Sequence, residues 1–333
     1  MHPFTLERPR DLAAALALGG AQTGRNDAPA EYIAGGTDMV QLLQEQVRQP
    51  KRLVSLAGLL DNRIQMGPQG LRLGAAATMA EVAEHPAVIE QYPVISEALL
   101  NSASPQVRNQ ATMGGNLMQR TRCPYFRDVG YSACNKRIPG SGCAAIGGEN
   151  RWHAVLGTSE NCIAVHPSDL AVALVALDAA VEVQGAGGQR TVPLLEFHRL
   201  PDSTPHIETV LGPGEVISAI TVPANAAARR SHYLKVRTRA SFEFALVSVA
   251  VALDMDGPRV ATARIALGGV GTKPWRTPEV EAALKGVTPG SPEVRNAAAL
   301  AAQGAQGRGH NDFKIELMQR AIVRAAEAAG ARA

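Results

Sequence analysis

The chain is poor in aromatic residues and has no segment suited to crossing a membrane. Aromatic residues make up 4% of its 333 residues, and its net charge of +3 is not gathered into a long basic run. Nucleic-acid-binding proteins depend on clustered positive charge and aromatic stacking, so nucleic acid is not expected as a partner. The sequence also lacks any apolar run near the roughly 18 residues that a membrane-spanning helix needs.

The first apolar stretch, Leu12–Gly20, follows Arg8 and Arg10 and so resembles a short signal sequence. However, Glu7 and Asp11 interrupt its approach, and alanine and leucine at this density also form a plain amphipathic helix. We therefore predict a helix here and expect no signal sequence in this segment.

Cysteine is scarce, but all four cysteines lie within 40 residues: Cys123, Cys134, Cys143 and Cys162. Three kinds of site would explain such a cluster, namely two disulfides, a zinc site or an iron–sulfur cluster. Disulfides are the weakest explanation because a chain of 35.0 kDa buries enough core without them. The Cys-x2-Cys pairs typical of zinc sites are absent, and the intervening Pro139–Gly142 lets backbone N–H groups approach the sulfurs. Spacing alone leaves zinc and iron–sulfur open.

Hydrophobic patterns predict two regions with different secondary-structure arrangements. The first alternates strands and helices, with strand Glu31–Ala34, a helix over Met39–Gln49 and strand Arg52–Leu56. The last third has two alternating segments, Ala245–Met255 and Arg259–Val270, around the turn Asp256-Gly257. Three helical patterns follow that hairpin. This region is therefore predicted to be an antiparallel sheet backed by helices.

Two glycine-containing segments could contact phosphate groups. The first, Ala34-Gly35-Gly36-Thr37-Asp38, lies between a predicted strand and a helix, and the second is Ala111–Asn116. Paired glycines let the backbone turn sharply and expose its N–H groups. A plain turn with Thr37 or Asp38 as the helix N-cap is the alternative, since neither the Gly-x-Gly-x-x-Gly nor the P-loop pattern is present. Two such loops suit a dinucleotide better than a single phosphate.

Together these motifs resemble the FAD-binding subunits of the molybdenum hydroxylase (xanthine dehydrogenase) family over almost the whole chain. The resemblance includes the Ala-Gly-Gly-Thr-Asp loop, Arg108–Asn116 and Gly268–Arg276. The segments Gln119–Phe126 and Cys134–Cys143 are similar to the flavin subunit of bacterial periplasmic-type aldehyde oxidoreductases, whose inserted loop holds a [4Fe–4S] cluster.

The resemblance implies an α+β fold in two domains. Residues 1–225 would form a two-part FAD-binding domain of the vanillyl-alcohol oxidase and p-cresol methylhydroxylase type, with subdomains of about 1–56 and 57–225. The cluster loop would span 117–166. Residues 229–330 would form a separate α+β domain of the carbon monoxide dehydrogenase flavoprotein type.

The resemblance also implies two sets of ligands. Residues expected to contact FAD are Glu31, Tyr32, Ile33, Ala34, Gly35, Gly36, Thr37, Asp38, Met39, Ala103, Thr112, Gly115, Asn116, Asp169, Ile217 and Lys235. The first nine would surround the pyrophosphate, and Asp169 would hold a sugar hydroxyl or an amide of FAD. The four cysteines would be the cluster ligands. His153 and His166, beside the cysteines, are predicted to be structural.

The implied function is electron transfer within a heterotrimer. A large subunit with a molybdenum cofactor would oxidise aldehydes to carboxylic acids, and a small subunit with [2Fe–2S] clusters would pass the electrons to this FAD and then to an external acceptor. No catalytic residue is therefore predicted here. The complex would be cytoplasmic, or periplasmic by export with a signal-bearing partner. Alternatives are a subunit of a hydroxybenzoyl-CoA reductase-like or xanthine dehydrogenase-like complex, or a zinc-stabilised binding protein without flavin.

Overall fold

A small parallel sheet opens the chain in this computed structural model, which describes residues 1–19 and 29–332. Its strands are β1 (Thr5–Glu7), β2 (Ala30–Ile33) and β3 (Arg52–Ser55), in the order β1-β3-β2. Helix α1 (Leu12–Leu18) confirms the predicted helix, and α2 (Met39–Gln44) follows β2 but ends before the predicted Gln49. The first glycine loop therefore lies at the carboxyl end of β2, where open parallel sheets commonly bind ligands.

The second sheet is antiparallel and has five strands from distant parts of the chain. They are β4 (Ile64–Gly67), β5 (Gly70–Gly74), β6 (Ala180–Gly185), β7 (Gly188–Pro193) and β8 (Val216–Pro223), in the order β4-β5-β8-β6-β7. Local sequence patterns did not predict β4 and β7, which are both edge strands. Five of the six residues of β7 are exposed, so it carries no clear apolar alternation, and β4 alternates over only four residues.

The next helices lie between β5 and β8 along the chain. They are α3 (Met79–Glu84), α4 (Pro86–Gln91), α5 (Pro93–Leu100), α6 (Pro105–Arg108), α7 (Met113–Leu117), α8 (Pro124–Arg127), α9 (Asp169–Ala176) and α10 (Leu194–Phe197). A capping box is present at α3, where Thr78 and Glu81 each accept a hydrogen bond from the other's backbone N–H. Ser168 caps α9, and all eight residues of that helix are buried, so α9 is central to the core.

The third sheet contains the predicted hairpin. Its strands are β9 (Ser231–Val236), β10 (Val247–Asp256), β11 (Arg259–Gly268) and β12 (Trp275–Arg276), in the order β12-β11-β10-β9. Gly257 has a φ of +57°, which a tight hairpin turn requires and glycine adopts freely. The helices that follow are α11 (Pro278–Leu284), α12 (Glu293–Ala299) and α13 (Phe313–Gly330). Among the described residues, no helix has both the length and the apolar character needed to cross a membrane.

The third sheet is buried on both faces. Valines of β10 such as Val249 and Val251 share a core with α11, α12 and α13. The alanines between them, Ala250 and Ala252, belong to the core built around α5 and α9. The helix-backed antiparallel sheet is thus as predicted, but it also completes the core of the preceding region. The domain boundaries near residues 225–229 stay a prediction from sequence.

Candidate functional site

A cleft of about 490 Å³ joins the two glycine loops. This volume lies within the range of cofactor sites in proteins. Predicted FAD contacts along its wall are Glu31, Tyr32, Ile33, Ala34, Gly35, Gly36, Thr37, Asp38, Met39, Ala103, Thr112, Gly115, Asn116, Asp169 and Lys235. Ile217 is the exception, because it lies in β8 and packs into the core, with 5% of its surface exposed.

The two glycine loops touch through their backbones. A Cβ atom on Gly35 would lie 2.1 Å from the carbonyl oxygen of Gln110, so no larger residue fits at position 35 without moving the second loop. Gly36 has a φ of +74°, which other residues adopt at a cost. Thr112 caps α7 by accepting a hydrogen bond from Gly115 N at 3.2 Å. This close approach places the two loops side by side along the cleft.

Asp38 fastens the first glycine loop to the segment that contains the first cysteine. Asp38 is the N-cap residue of α2, as the alternative interpretation expected, but its side chain makes no hydrogen bond to that helix. The carboxylate instead accepts a hydrogen bond from the backbone N of Arg120 at 2.8 Å. It also pairs with Arg122 Nη1 at 2.9 Å and Arg127 Nη2 at 2.7 Å. These contacts join residues more than 80 positions apart and position the loop against the cleft.

A buried polar network closes another part of the cleft. Asp169 accepts hydrogen bonds from Ser102 Oγ at 2.8 Å and Tyr233 OH at 2.6 Å. The Lys235 ammonium lies 2.7 Å from the same carboxylate, and the two side chains are 1% and 7% exposed. Burial, and then the Asp169 charge, raise the pKa of Tyr233 well above its ordinary value, so the phenol stays a donor. The network links α9 to β9 and holds both predicted FAD contacts in place.

Several cleft residues were missed by the sequence analysis. Arg48 pairs with Glu31 at 3.1 Å, and both side chains are nearly buried. At the mouth, the Arg122 guanidinium lies 5.0 Å from the centre of the Phe244 ring. No local motif marks these residues, since their partners come from other parts of the chain. Ala103 also lines the cleft and has a φ of +52°, which is strained for alanine.

Family comparisons agree with this geometry. Residues 2–225 match the family model described as the FAD binding domain in molybdopterin dehydrogenase. The chain belongs to this family. Residues 232–329 of the FAD-binding subunit match the CO dehydrogenase flavoprotein C-terminal domain. The excluded Cβ at Gly35 and the size of the cleft fit a bound dinucleotide.

Known relatives of this FAD-binding subunit are parts of larger oxidoreductases. It is 44% identical over 325 residues to the aldehyde oxidoreductase FAD-binding subunit PaoB of Escherichia coli, with 97% of each chain covered. It is 25% identical to the carbon monoxide dehydrogenase medium chain of Afipia carboxidovorans, over 99% of this chain and 98% of the relative. A crystal structure of the Cu,Mo-CO dehydrogenase matches it with a TM-score of 0.74 and 25% identity over 100% of both chains. The protein is thus an oxidoreductase subunit.

The four cysteines of the FAD-binding subunit form a second candidate site. All four are free thiols and line one small cavity next to the cleft region. The backbones of Cys134 and Cys143 pair in an isolated antiparallel β-bridge, which brings their two segments together. No group of three or more His, Cys, Asp or Glu side chains within residues 1–19 and 29–332 is arranged to hold a metal ion. The comparisons do not support the predicted [4Fe–4S] site, which stays a prediction resting on the convergence of the four cysteines on one cavity.

Burial raises the pKa of three of the cysteine thiols, those of Cys123, Cys143 and Cys162. It raises the pKa of Cys123 to about 12 and that of Cys162 to about 11. Backbone N–H groups act in the opposite direction, including Phe126 at Cys123 and Ala145 at Cys143. Thiolates bind metals and thiols do not, so these N–H groups and a bound cation would have to stabilise the deprotonated form together.

Of the two histidines beside the cysteines, His153 is buried and His166 is partly buried. His153 Nε2 lies 3.1 Å from Cys123 Sγ, and burial lowers the pKa of His153 to about 4. His166 lines the cleft and stacks edge-on against His198, with 4.2 Å between the ring centres. The structural role of both histidines stays a prediction, and His153 in addition contacts a cysteine sulfur.

Proposed function

We propose that this chain is the electron-transfer subunit of a molybdenum-containing aldehyde oxidoreductase and carries both FAD and a [4Fe–4S] cluster. Its partners would be a large subunit with the molybdenum cofactor and a small subunit with [2Fe–2S] clusters. The 44% identity to an aldehyde oxidoreductase FAD-binding subunit, over 97% of both chains, is the observation that carries the choice of aldehyde as substrate.

The cleft supports the FAD part of the proposal. The loop from Ala34 to Asp38 would hold the pyrophosphate through backbone N–H groups, with Thr112 and Gly115 forming the opposite wall. Asp169 and Lys235 would orient the sugar and ring portions from the far side. When bound, FAD accepts electrons singly or in pairs and so connects one-electron clusters to an acceptor. The role of this chain is to bind, orient and partly bury that group.

The cysteine cavity supports the cluster part. Four thiols from one long loop line a single cavity, and backbone N–H groups face Cys123, Cys143 and Cys162. A tetrahedral zinc ion with Zn–S bonds of about 2.3 Å would need the four sulfurs gathered within about 4 Å of one another. The described side chains do not form such a compact group. A [4Fe–4S] cubane takes one cysteine ligand at each of its four iron atoms, and the four thiols around this cavity supply that number.

The first test is the absorption spectrum, with iron and FAD contents, of the complex purified without oxygen. Flavin bands above a broad brown absorbance, both bleached by dithionite, are the expected result. FAD with no more iron than the [2Fe–2S] clusters of the small subunit require would refute the [4Fe–4S] cluster and leave FAD in place. Aldehyde as electron donor should bleach the same bands in the intact complex, whereas bleaching by xanthine alone would contradict the substrate.

Cys134→Ser tests the ligand assignment. The serine oxygen is a poor ligand for iron, so we expect loss of the cluster iron with most of the FAD retained. Ala133→Ser is a matched control, because it adds a hydroxyl at the neighbouring position and leaves every thiol intact. Full iron content in Cys134→Ser would contradict the assignment.

A further inference from the structure

A side-chain contact singles out one cysteine sulfur. The imidazole Nε2 of His153 lies 3.1 Å from Cys123 Sγ, within hydrogen-bond distance for sulfur. His153 is only 2% exposed, so water does not compete for this contact. Among the described residues nothing bonds to its Nδ1, so no acceptor draws the ring proton to that nitrogen.

Residues at and just before the carboxy-terminal helix hold the backbone of His153. The backbone oxygen of His153 accepts hydrogen bonds from Lys314 Nζ at 3.0 Å and Asn311 Nδ2 at 3.5 Å. The fully buried Lys314 also bonds the oxygen of Gly269 at 2.7 Å. Lys314 lies in the first turn of α13 and Asn311 just before that helix, some 160 positions beyond His153. The third sheet and its helices thus fix where the imidazole meets the sulfur.

We propose that His153 donates its Nε2–H to Cys123 Sγ and raises the reduction potential of the cluster that this cysteine binds. The inference rests on the proposed function, because it needs the cluster. A ligand thiolate can only accept a hydrogen bond, so the proton of the contact must reside on Nε2. Reduction adds negative charge that spreads onto the sulfurs, so a donor at a sulfur stabilises the reduced form more than the oxidised form.

His153 differs from the other donors around the cysteines in one respect that matters for a test. Cys143 and Cys162 receive backbone N–H groups, such as those of Ala145 and Ala164, which no side-chain change removes. The imidazole can be replaced. His153 is therefore a positioning residue for Cys123 whose effect on the potential can be measured separately from the fold.

The experiment compares His153→Leu with His153→Gln in the intact complex. Leucine fills much of the space without an N–H group, whereas the glutamine amide can place an N–H near the former Nε2. Iron content is measured first, and the cluster is then titrated against potential by electron paramagnetic resonance. We expect His153→Leu to reduce the ratio of reduced to oxidised cluster at the wild-type midpoint by up to about tenfold, a shift of about 59 mV downward for one electron. His153→Gln should recover most of that shift.

The outcomes separate the two proposals. A wild-type complex with no iron beyond that of the [2Fe–2S] clusters would refute the [4Fe–4S] cluster itself, and with it this inference. Wild-type iron content with an unchanged potential in His153→Leu would refute only the role of His153. If His153→Leu does not hold iron, His153→Asn replaces it, because its short amide does not reach the sulfur. Loss of iron from both variants, with retention in His153→Gln, would overturn potential tuning in favour of a structural role.

Discussion

Replacing Gly35 by alanine should weaken FAD binding more than it weakens the fold. The added Cβ would lie 2.1 Å from Gln110 O, whereas such contacts are essentially never below 3.0 Å. The two glycine loops must therefore separate by about 1 Å, because the obstacle is backbone and cannot rotate away. Loss of one hydrogen bond to a charged phosphate costs about 1.5–3 kcal/mol, so we expect the Kd for FAD to rise about ten- to hundredfold.

The assay is titration of the FAD-depleted complex with FAD, followed by flavin fluorescence. Gly67→Ala is the matched control, because a Cβ there meets nothing within 4 Å and its backbone is not left-handed. It should bind FAD as the wild type does. A folded Gly35→Ala variant with the wild-type Kd would refute the assignment of this loop to the cofactor.

Three further predictions concern stability, and each is checked by urea denaturation. Asp169→Asn leaves the Lys235 ammonium buried without its charge partner and should lower the free energy of unfolding by about 3–5 kcal/mol. Adding Lys235→Met should recover part of this loss. Effects of the two substitutions that simply add would contradict a direct pair. Thr78→Ala removes the capping box with Glu81 and should cost about 1 kcal/mol, whereas Thr78→Ser should be nearly neutral. Burial lowers the pKa of Lys314 from 10.5 to about 7, so the unfolded chain binds more protons between these pH values. The free energy of unfolding should therefore rise with pH across this window relative to Lys314→Met, by at most about 5 kcal/mol, and a pH-independent difference would contradict it.

Local patterns were sufficient wherever neighbours in sequence also interact in space. The turn Asp256-Gly257 predicted the hairpin of β10 and β11 because its left-handed glycine is a property of the turn itself. The capping box at Thr78 follows from the same kind of short-range bonding. Strand β7 escaped prediction because its residues are mostly exposed, and pairing with β6 alone makes it a strand.

The residues of the candidate cleft also divide into those that local patterns could predict and those that they could not. The glycine loops could be found from sequence because close backbone approach needs glycine whatever the surroundings. The role of Asp38 could not, because its partners Arg120, Arg122 and Arg127 lie more than 80 residues away. The resemblance drew attention to Asp169 and Lys235, but only the fold showed that they face each other.

The sequence by itself determined the motifs: two glycine loops, four clustered cysteines and a carboxy-terminal hairpin with helices. Each of these depends on residue type and short spacing, which folding does not alter. The tertiary structure alone decided that β10 is buried on both faces, and that His153 reaches Cys123 while α13 holds its backbone. Those contacts join segments whose separation along the chain carries no local signal, so they exist only once the whole core has packed.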